Sequence, residues 1–289
     1  MLTFPQIDPV AFSLGPIEVR WYALAYMLGF IGGWWLAGRM ADRTPAHLQR
    51  AGTRADFDDF LTWAIVGTIL GGRIGYILFY NLGYYLSHPL EILQVWHGGM
   101  SFHGGALGVC VAFFLFCKAR NIDWRAFGDV IACVVPLGLG LGRIANFING
   151  ELYGRVSDGA WAMVFPDGGV NPRHPSQLYQ AALEGFLLLF IMLALSRVYA
   201  LRGRPGMLGG IFLFLYAVFR SIGEEYRSPD VQLGFIIGDV TMGQILCIPM
   251  AIIGIALIKQ AAGMHLPPRP VTAPAADVPA AENPDNENR

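Results

Sequence analysis

The chain has 289 residues, of which 54% are hydrophobic and only 14% are charged, and its formal net charge is −1. Soluble domains carry about 25% charged residues, so this composition excludes an ordinary soluble domain and predicts an integral membrane protein. The small net charge gives no basis for nucleic-acid binding, and the sequence contains no nucleotide-binding loop, HExxH or GxSxG motif.

Seven apolar windows, each long enough to span a bilayer, follow one another along the chain. They lie at about 21–38, 60–81, 101–117, 127–149, 179–196, 207–226 and 241–258. They are rich in glycine and lack the repeated alternation of barrel strands, which predicts an all-α polytopic membrane bundle packed through small residues. The first window has no basic flank or cleavage site, so we expect a retained span and not a signal peptide.

Lysine and arginine fall mostly on one side of these windows, which predicts the orientation of the chain. The loops after windows one, three, five and seven carry Arg39, Arg43, Arg50, Arg54, Lys118, Arg120, Arg125, Arg197, Arg202, Arg204, Lys259, Arg269 and Arg289. The opposite loops carry Arg20, Arg155, Arg173 and Arg227. We therefore expect the N-terminus outside and the C-terminus in the cytoplasm.

Two regions differ in composition. Residues 1–262 are predicted to form the membrane-embedded domain, with a small extracytoplasmic lid at about 151–178. Residues 263–289 are rich in proline, alanine and acidic residues, which predicts a disordered cytoplasmic tail. The four cysteines lie in apolar windows without CxxC spacing, so we expect packing residues, with neither a metal site nor a disulfide.

Polar residues inside the windows are predicted to share one layer near the outer surface. Arg73, Arg143 and Arg220 each lie about 13–16 residues into an even-numbered window, or about 20–24 Å from its cytoplasmic start. Near the outer ends of the odd-numbered windows lie Tyr26, His103 and Glu184.

An arginine at the bilayer centre costs about 2.5–3.5 kcal/mol on insertion scales, so an anion is expected beside these residues. One interpretation is structural pairing with Glu184, Glu224 and Glu225. Arg220, Glu224 and Arg227 share one helical face, which favours such pairs. In the other interpretation, the arginines line a water-accessible cavity and bind the phosphate of an outer-leaflet phospholipid, since guanidinium groups bind phosphate in a bidentate manner.

The segment GLGLGRIANFINGELYGR (138–155) combines charge, amides and glycines. Continued as one helix, it aligns Arg143, Asn146, Gly150 and Gly154 on a single stripe. The glycines at 138, 140 and 142 are interpreted mainly as close helix packing. His103 lies two residues after Ser101, a predicted N-cap, and is either a general base or a hydrogen-bonding residue.

Several long motifs occur in an order that resembles the bacterial phosphatidylglycerol–prolipoprotein diacylglyceryl transferase family. They are GGRIGYILFYN (71–81), GGMSFHGG (98–105), GLGLGRIANFINGELYGR (138–155), RHPSQLY (173–179), FRSIGEEYRSPD (219–230) and MGQILCIPM (242–250). Where the family commonly has an acid after HPSQLY, this chain has Gln180, with Glu184 one turn further on.

The resemblance implies transfer of the diacylglyceryl group of phosphatidylglycerol to the lipobox cysteine of a prolipoprotein signal peptide, with release of glycerol 1-phosphate. It implies a multi-pass protein of the bacterial inner membrane, with a periplasmic active site and no metal or other cofactor. His103, Arg143 and Arg220 are then expected to be catalytic. The residues expected to bind or support the substrate are Tyr26, Arg73, Asn146, Glu151, Gly154, Glu224 and Arg227.

The mechanism has two open versions. In one, His103 removes the thiol proton, while in the other it binds the lipid headgroup and the arginine charges favour the thiolate. The competing function is an anionic-lipid transporter or flippase. That function predicts inverted repeats or paired broken helices, and the two halves of the sequence show no convincing repeat.

Overall fold

The computed structural model describes residues 2–15, 17–44, 51–94, 98–229 and 234–266. Its helices, numbered in chain order, are α1 (Trp21–Asp42), α2 (Arg54–Tyr80), α3 (Leu82–Ser87), α4 (Phe102–Ala119), α5 (Trp124–Ile148), α6 (Ser176–Gln180), α7 (Leu188–Leu195), α8 (Tyr199–Arg202), α9 (Met207–Tyr226) and α10 (Met242–Ala262). A 3₁₀ turn covers Pro89–Leu93, and a π-helical turn, Ala181–Leu187, joins α6 to α7. Each of the seven apolar windows coincides with a long helical segment.

The outer surface of the bundle is apolar, as a lipid-facing surface requires. Within the described ranges, five helical segments are both long and apolar enough to cross a bilayer: Arg54–Tyr80, Trp124–Ile148, Ser176–Leu195, Met207–Tyr226 and Met242–Ala262. Large apolar side chains on them point away from the protein, with Phe79 82% exposed and Phe190 72% exposed. Apolar surface on this scale marks contact with a membrane or a partner, and the chain is a helical membrane protein.

Polar side chains at the starts of α2, α4, α5 and α10 satisfy free backbone N–H groups. Ser101 accepts a hydrogen bond from the N–H of Gly104 at 3.2 Å, so the predicted N-cap of the helix that carries His103 is confirmed. Thr53 forms a capping box with Asp56 at the start of α2. Its polar first turn explains why α2 begins six residues before the predicted apolar window.

The all-α prediction is correct for the bundle but misses two short hairpins. Strands β1 (Val10–Leu14) and β2 (Ile17–Arg20) pair before α1, and β3 (Phe235–Ile237) and β4 (Val240–Thr241) pair before α10. Strands of two to five residues give too few alternations to show in a hydropathy pattern. Gly238, with φ of 56°, lies in the second turn and adopts a conformation that most residues avoid.

Glycine lets neighbouring helices touch through their backbones, as the small-residue pattern predicts. In the α2–α4 pair, a Cβ at Gly108 would lie 2.1 Å from the carbonyl oxygen of Gly67, and one at Gly71 would lie 2.3 Å from that of Gly104. Helices α1 and α5 meet at Gly29 and Gly138. At Gly138 and Gly142 an added Cβ would meet nothing within 4 Å among the described residues, so close packing does not require glycine there, whereas at Gly140 it would lie 3.1 Å from the Cα of Gly185.

The lid, residues 151–175, has an apolar core of its own and is not a solvated connection. Phe165 is 1% exposed and packs against Phe4 from the N-terminal segment and Phe147 from the end of α5. The N–H of Leu2 also donates to the carbonyl of Ala162 at 3.0 Å. These contacts hold the lid on the end of α5.

All four cysteines are free, and three of them, Cys117, Cys133 and Cys247, are buried, which agrees with the predicted packing role. The fourth, Cys110, is exposed on α4, so packing inside the protein does not account for it. The predicted tail lies almost wholly outside the described residues, which end at 266. The boundary between the two predicted regions therefore stays a prediction.

Candidate functional site

The site forms around Glu184, which the fold places between two helices. A Cβ at Gly185 would lie only 2.3 Å from the Cα of Gly140, so the backbones of α5 and the π-helical turn are in contact. Arg143 lies one turn after Gly140 on α5, and Glu184 directly precedes Gly185. The glycine contact therefore brings Glu184 close to Arg143. π-Helical turns of this kind frequently occur at functional sites.

Glu184 pairs with arginines from two different helices. Its Oε2 lies 3.6 Å from Nη2 of Arg143 on α5, and its Oε1 lies 3.5 Å from Nη1 of Arg220 on α9. One buried carboxylate thus holds two guanidinium groups in the same place. The predicted convergence of Arg143 and Arg220 is confirmed.

The carboxylate of Glu184 and the two guanidinium groups differ sharply in their exposure. Glu184 is 0% exposed, whereas the side chains of Arg143 and Arg220 are 18% and 12% exposed. A ligand that approaches from outside therefore reaches the guanidinium N–H groups before the carboxylate. That arrangement favours an anion.

A second carboxylate continues the network along α9. Glu224 pairs with Arg220 one turn earlier and with Arg227 at 3.1 Å, as their shared helical face predicts. Its other oxygen accepts a hydrogen bond from Thr241 at 2.9 Å. Glu225, included in the structural interpretation of the charges, instead accepts a hydrogen bond from Gln244.

We call Arg143, Arg220, Arg227, Glu184 and Glu224 the arginine cluster. Among the described residues, its ion pairs join three guanidinium groups to two carboxylates. Coulomb interactions in a water-poor region are much stronger than in bulk water. A negative charge beside the partly exposed guanidinium groups of Arg143 and Arg220 would therefore be strongly stabilised.

The single helical stripe predicted for residues 143–154 is wrong beyond Asn146. Helix α5 ends at Ile148, and Gly150, with φ of 70°, turns the chain out of the helix. Asn146 remains on the helix, is 8% exposed, and donates to Oε1 of Glu151 at 2.8 Å. The turn after α5 thus brings the amide of Asn146 and the carboxylate of Glu151 together.

The turn after α5 is held by side chains from α6. Leu152 has φ of 57°, which is uncommon for a residue with a side chain. Ser176 donates to the carbonyl of Leu152 at 3.1 Å, and Gln177 donates to that of Glu151 at 2.6 Å. These bonds from the RHPSQLY motif fix the start of the lid.

Gly154 is where the lid docks against the end of α9. Its N–H donates to the carbonyl of His174 at 2.8 Å, and Ser228 donates to its carbonyl at 2.7 Å. An added Cβ would lie 2.5 Å from the carbonyl oxygens of both His174 and Tyr226. Only glycine permits this approach, and the part predicted for Gly154 in supporting the substrate stays a prediction.

Arg155 adds a link that the sequence analysis missed. It donates to the carbonyls of Arg227 at 3.1 Å and Glu224 at 3.4 Å, and its guanidinium lies over the ring of Phe235. The lid is therefore bonded to the end of α9 that carries the cluster. Thr241 was also missed, although its T-x-x-Q pattern is a recognisable capping box.

His174 lies at this junction, outside the membrane-spanning segments. Burial lowers the pKa of His174 below its ordinary value, because the cationic ring loses water when it is partly enclosed. Its Nδ1 lies 3.2 Å from the hydroxyl of Tyr179, and its ring packs on that of Tyr226. The neutral ring therefore packs as an aromatic group between the lid and α9.

Tyr26 and His103 occupy the starts of two other helices. The hydroxyl of Tyr26 lies 3.1 Å from that of Tyr22 on α1. The substrate-binding role of Tyr26 stays a prediction. His103 lies in the first turn of α4 with an exposed side chain, and its catalytic role stays a prediction.

Arg73 has a different role from the lipid binding predicted for it. Its three guanidinium nitrogens donate to the backbone carbonyls of Glu91, Ile92, Gly98 and Gly99 at 2.5–3.3 Å. The residue is 4% exposed and also lies over the ring of Tyr85. Because its donors are already bonded, Arg73 is an anchor for the chain before α4. Sequence depth alone does not distinguish these two uses of an arginine.

Comparisons with known proteins identify the family. The sequence profile of the prolipoprotein diacylglyceryl transferase family matches residues 9–259. The chain belongs to this family. A phosphatidylglycerol–prolipoprotein diacylglyceryl transferase of Gluconacetobacter diazotrophicus is 56% identical over 277 residues, which cover 95% of this chain and 97% of the relative. The enzymes of the same name from Azospirillum brasilense and Rickettsia felis are 56% and 47% identical, each over 90% of this chain and over 96% and 98% of their own lengths.

Membership of the prolipoprotein diacylglyceryl transferase family confirms the resemblance seen in the sequence. The matched span runs from β1 through almost all of α10, and therefore includes the arginine cluster and the lid. The predicted alternative, a lipid transporter or flippase, is not favoured, because these relatives carry the name of a transferase.

Proposed function

We propose that this chain transfers the diacylglyceryl group of phosphatidylglycerol to the lipobox cysteine of a prolipoprotein signal peptide, the first step of bacterial lipoprotein maturation. The observation that carries the proposal is the arginine cluster. Two partly exposed guanidinium groups, those of Arg143 and Arg220, share one buried carboxylate. Their N–H groups suit the monoanionic phosphate of phosphatidylglycerol.

The proposed setting is the bacterial inner membrane, with seven spans, the N-terminus outside and the C-terminus in the cytoplasm. The seven long helical segments supply the spans, and the uneven distribution of arginine and lysine supports this orientation. The lid and the cluster then lie at the periplasmic side, level with the headgroups of the outer leaflet. Lipid and signal peptide both reach that layer from within the bilayer.

The proposed reaction is a substitution at the glyceryl carbon bonded to the phosphate oxygen. The cysteine sulfur forms a bond to that carbon while the carbon–oxygen bond breaks, and the departing glycerol 1-phosphate retains the electron pair. Negative charge therefore accumulates on the phosphate in the transition state. Arg143 and Arg220 stabilise it, and such preorganised donors are worth about 10²–10³-fold each in rate.

The remaining site residues are proposed to bind, position or deprotonate the substrates. Tyr26 and the Asn146–Glu151 pair offer hydrogen bonds to the headgroup beside the cluster. Gly154 positions the lid, whereas Glu224 and Arg227 position Arg220. These three residues make no direct contact with the reacting atoms. His103, exposed in the first turn of α4, accepts the proton of the thiol, because the thiolate is the nucleophile.

Purified full-length chain in lipid nanodiscs tests the proposal directly. It is supplied with phosphatidylglycerol and a peptide containing a lipobox cysteine, and the peptide is followed by mass spectrometry. We expect the peptide to gain one diacylglyceryl group for each glycerol 1-phosphate released, and a cysteine-to-serine peptide to gain none. Transbilayer movement of labelled phosphatidylglycerol without any peptide product would instead support a transporter.

A further inference from the structure

The helical segment that carries Glu184 also carries polar side-chain atoms without a hydrogen-bond partner. Among the residues that the structure describes, four buried atoms on this segment form no hydrogen bond: Oε1 of Gln177, Oε1 and Nε2 of Gln180, and Oε2 of Glu184, which lies 3.6 Å from Nη2 of Arg143 in an ion pair. All three residues are 0% exposed. A buried polar atom left unpaired costs free energy, so such atoms in a native protein are expected to meet a ligand or ordered water.

Of these three residues, Gln180 has the most unbonded atoms, because neither the oxygen nor the nitrogen of its side-chain amide forms a hydrogen bond among the described residues. It lies four residues before Glu184, one helical turn or about 6 Å along the axis. Gly223 on α9 makes room for both residues, since a Cβ there would lie 3.0 Å from Cγ of Gln180 and 3.2 Å from Oε1 of Glu184. Gln180 therefore lies between the Glu184 ion pairs and Gln177, which is bonded to the lid.

The position of Gln180 suits contact with the part of phosphatidylglycerol that extends outward from the phosphate. If Arg143 and Arg220 bind the phosphate, the acyl chains extend into the bilayer and the headgroup glycerol extends towards the lid. The free hydroxyls of that glycerol each donate and accept a hydrogen bond. A glutamine amide offers one group of each kind, and Oε2 of Glu184 accepts a further bond. A cationic headgroup would face repulsion from the nearby guanidinium groups of Arg143 and Arg220.

We propose that Gln180, together with Glu184, binds the free hydroxyls of the phosphatidylglycerol headgroup and selects this lipid over anionic lipids that lack them. This subsite rests on the proposed function and adds the determinant of headgroup choice. The arginines recognise the charge of the phosphate, which many lipids share. Gln180 recognises the neutral polar end, which distinguishes glycerol.

The test compares two lipids that differ only in the headgroup hydroxyls. Phosphatidylglycerol and phosphatidylpropanol, with the same acyl chains, have the same charge and a three-carbon headgroup. The ratio of their kcat/KM values in the peptide transfer assay is measured for the parent and for Gln180→Leu. Because both lipids are tested on one preparation, the fraction of folded protein cancels from the ratio.

We expect the parent to prefer phosphatidylglycerol by about 10- to 100-fold, the range expected when buried polar groups are left unpaired by an analogue. Gln180→Leu should lose that preference by slowing transfer from phosphatidylglycerol alone. Gln180→Glu, which introduces the acid that the family commonly has after HPSQLY and still accepts a hydrogen bond from a hydroxyl, should retain the preference. Gln260→Leu, the same change on the exposed end of α10, should match the parent.

Two results would overturn the subsite: no preference in the parent, or an unchanged preference in Gln180→Leu, which includes an equal fold loss on both lipids. An unchanged preference is also the result expected if ordered water alone occupies the position. A parent that transfers from neither lipid would contradict the proposed function itself, and the subsite with it. That outcome appears before any substitution is made.

Discussion

Arg143→Lys is expected to lower kcat/KM for diacylglyceryl transfer by about 10²–10³-fold while the chain still folds. Lysine keeps a positive charge beside Glu184, so the buried carboxylate retains its counter-charge. It lacks the planar fork of donors that binds a phosphate through two hydrogen bonds, which makes this exchange far from conservative at such a site. The peptide transfer assay measures the rate, and thermal unfolding in detergent measures the fold.

Arg202→Lys is the matched control for Arg143→Lys. Arg202 on α8 is also only partly exposed and donates to the carbonyl of Met40 and the hydroxyl of Thr44. It takes no part in the arginine cluster. We expect less than a threefold change in kcat/KM, of the order of a typical surface substitution. A loss of equal size in both variants would show that Arg143 matters only through the stability of the bundle.

Gly154→Ala is expected to reduce activity by about 10²-fold or more through the lid alone. The added methyl group would lie 2.5 Å from two carbonyl oxygens, so the lid must move away from the end of α9. The hydrogen bonds of Gly154 to His174 and Ser228 are lost in that movement. Displacing substrate-positioning groups by about 1 Å costs of the order of 10²-fold in rate.

Gly83→Ala provides the same chemical change where a Cβ would meet nothing among the described residues within 4 Å. That variant should keep the parental rate. Limited proteolysis of the lid should be faster in Gly154→Ala than in Gly83→Ala, because the lid is no longer docked. If Gly154→Ala keeps more than half of the parental kcat/KM, close docking of the lid is not required.

Hydrophobicity and helical spacing predicted most of the fold and part of the site. Runs of apolar residues long enough to span a bilayer have few alternatives to a helix, because backbone groups in lipid must be bonded within the segment. Spacing of three and four residues predicted that Glu224 meets both Arg220 and Arg227, since that contact lies within one helix. Contacts within one helix can therefore be predicted from the local periodicity of the sequence.

Contacts between helices were not predictable from the same patterns. Glu184 could be placed in the right layer, but its shared contact with Arg143 and Arg220 depends on the backbone contact at Gly140 and Gly185. Arg73 lies in a comparable position and binds backbone carbonyls instead. The sequence shows how deep a side chain lies, but tertiary packing decides what it contacts.

The segment after Asn146 shows why the end of a helix is hard to predict. Asn149 and Gly150 interrupt an otherwise favourable helical pattern, and isolated glycines are also frequent inside membrane helices. The positive φ of Gly150 and of Leu152 takes the chain out of the helix, and leucine has no preference for that conformation. Bonds from Ser176 and Gln177, more than twenty residues away, hold the turn in place.

The central claim, that the arginine cluster binds the phosphate of the lipid, is tested most directly by equilibrium binding of short-chain phosphatidylglycerol. Arg220→Gln is the decisive variant, because Glu184 and Glu224 each keep another arginine partner when Arg220 is lost. The account predicts that Arg220→Gln weakens binding by about 10- to 100-fold, the effect of losing a charge-assisted hydrogen bond, while Arg202→Gln binds like the parent. Equal binding by Arg220→Gln and the parent would contradict it.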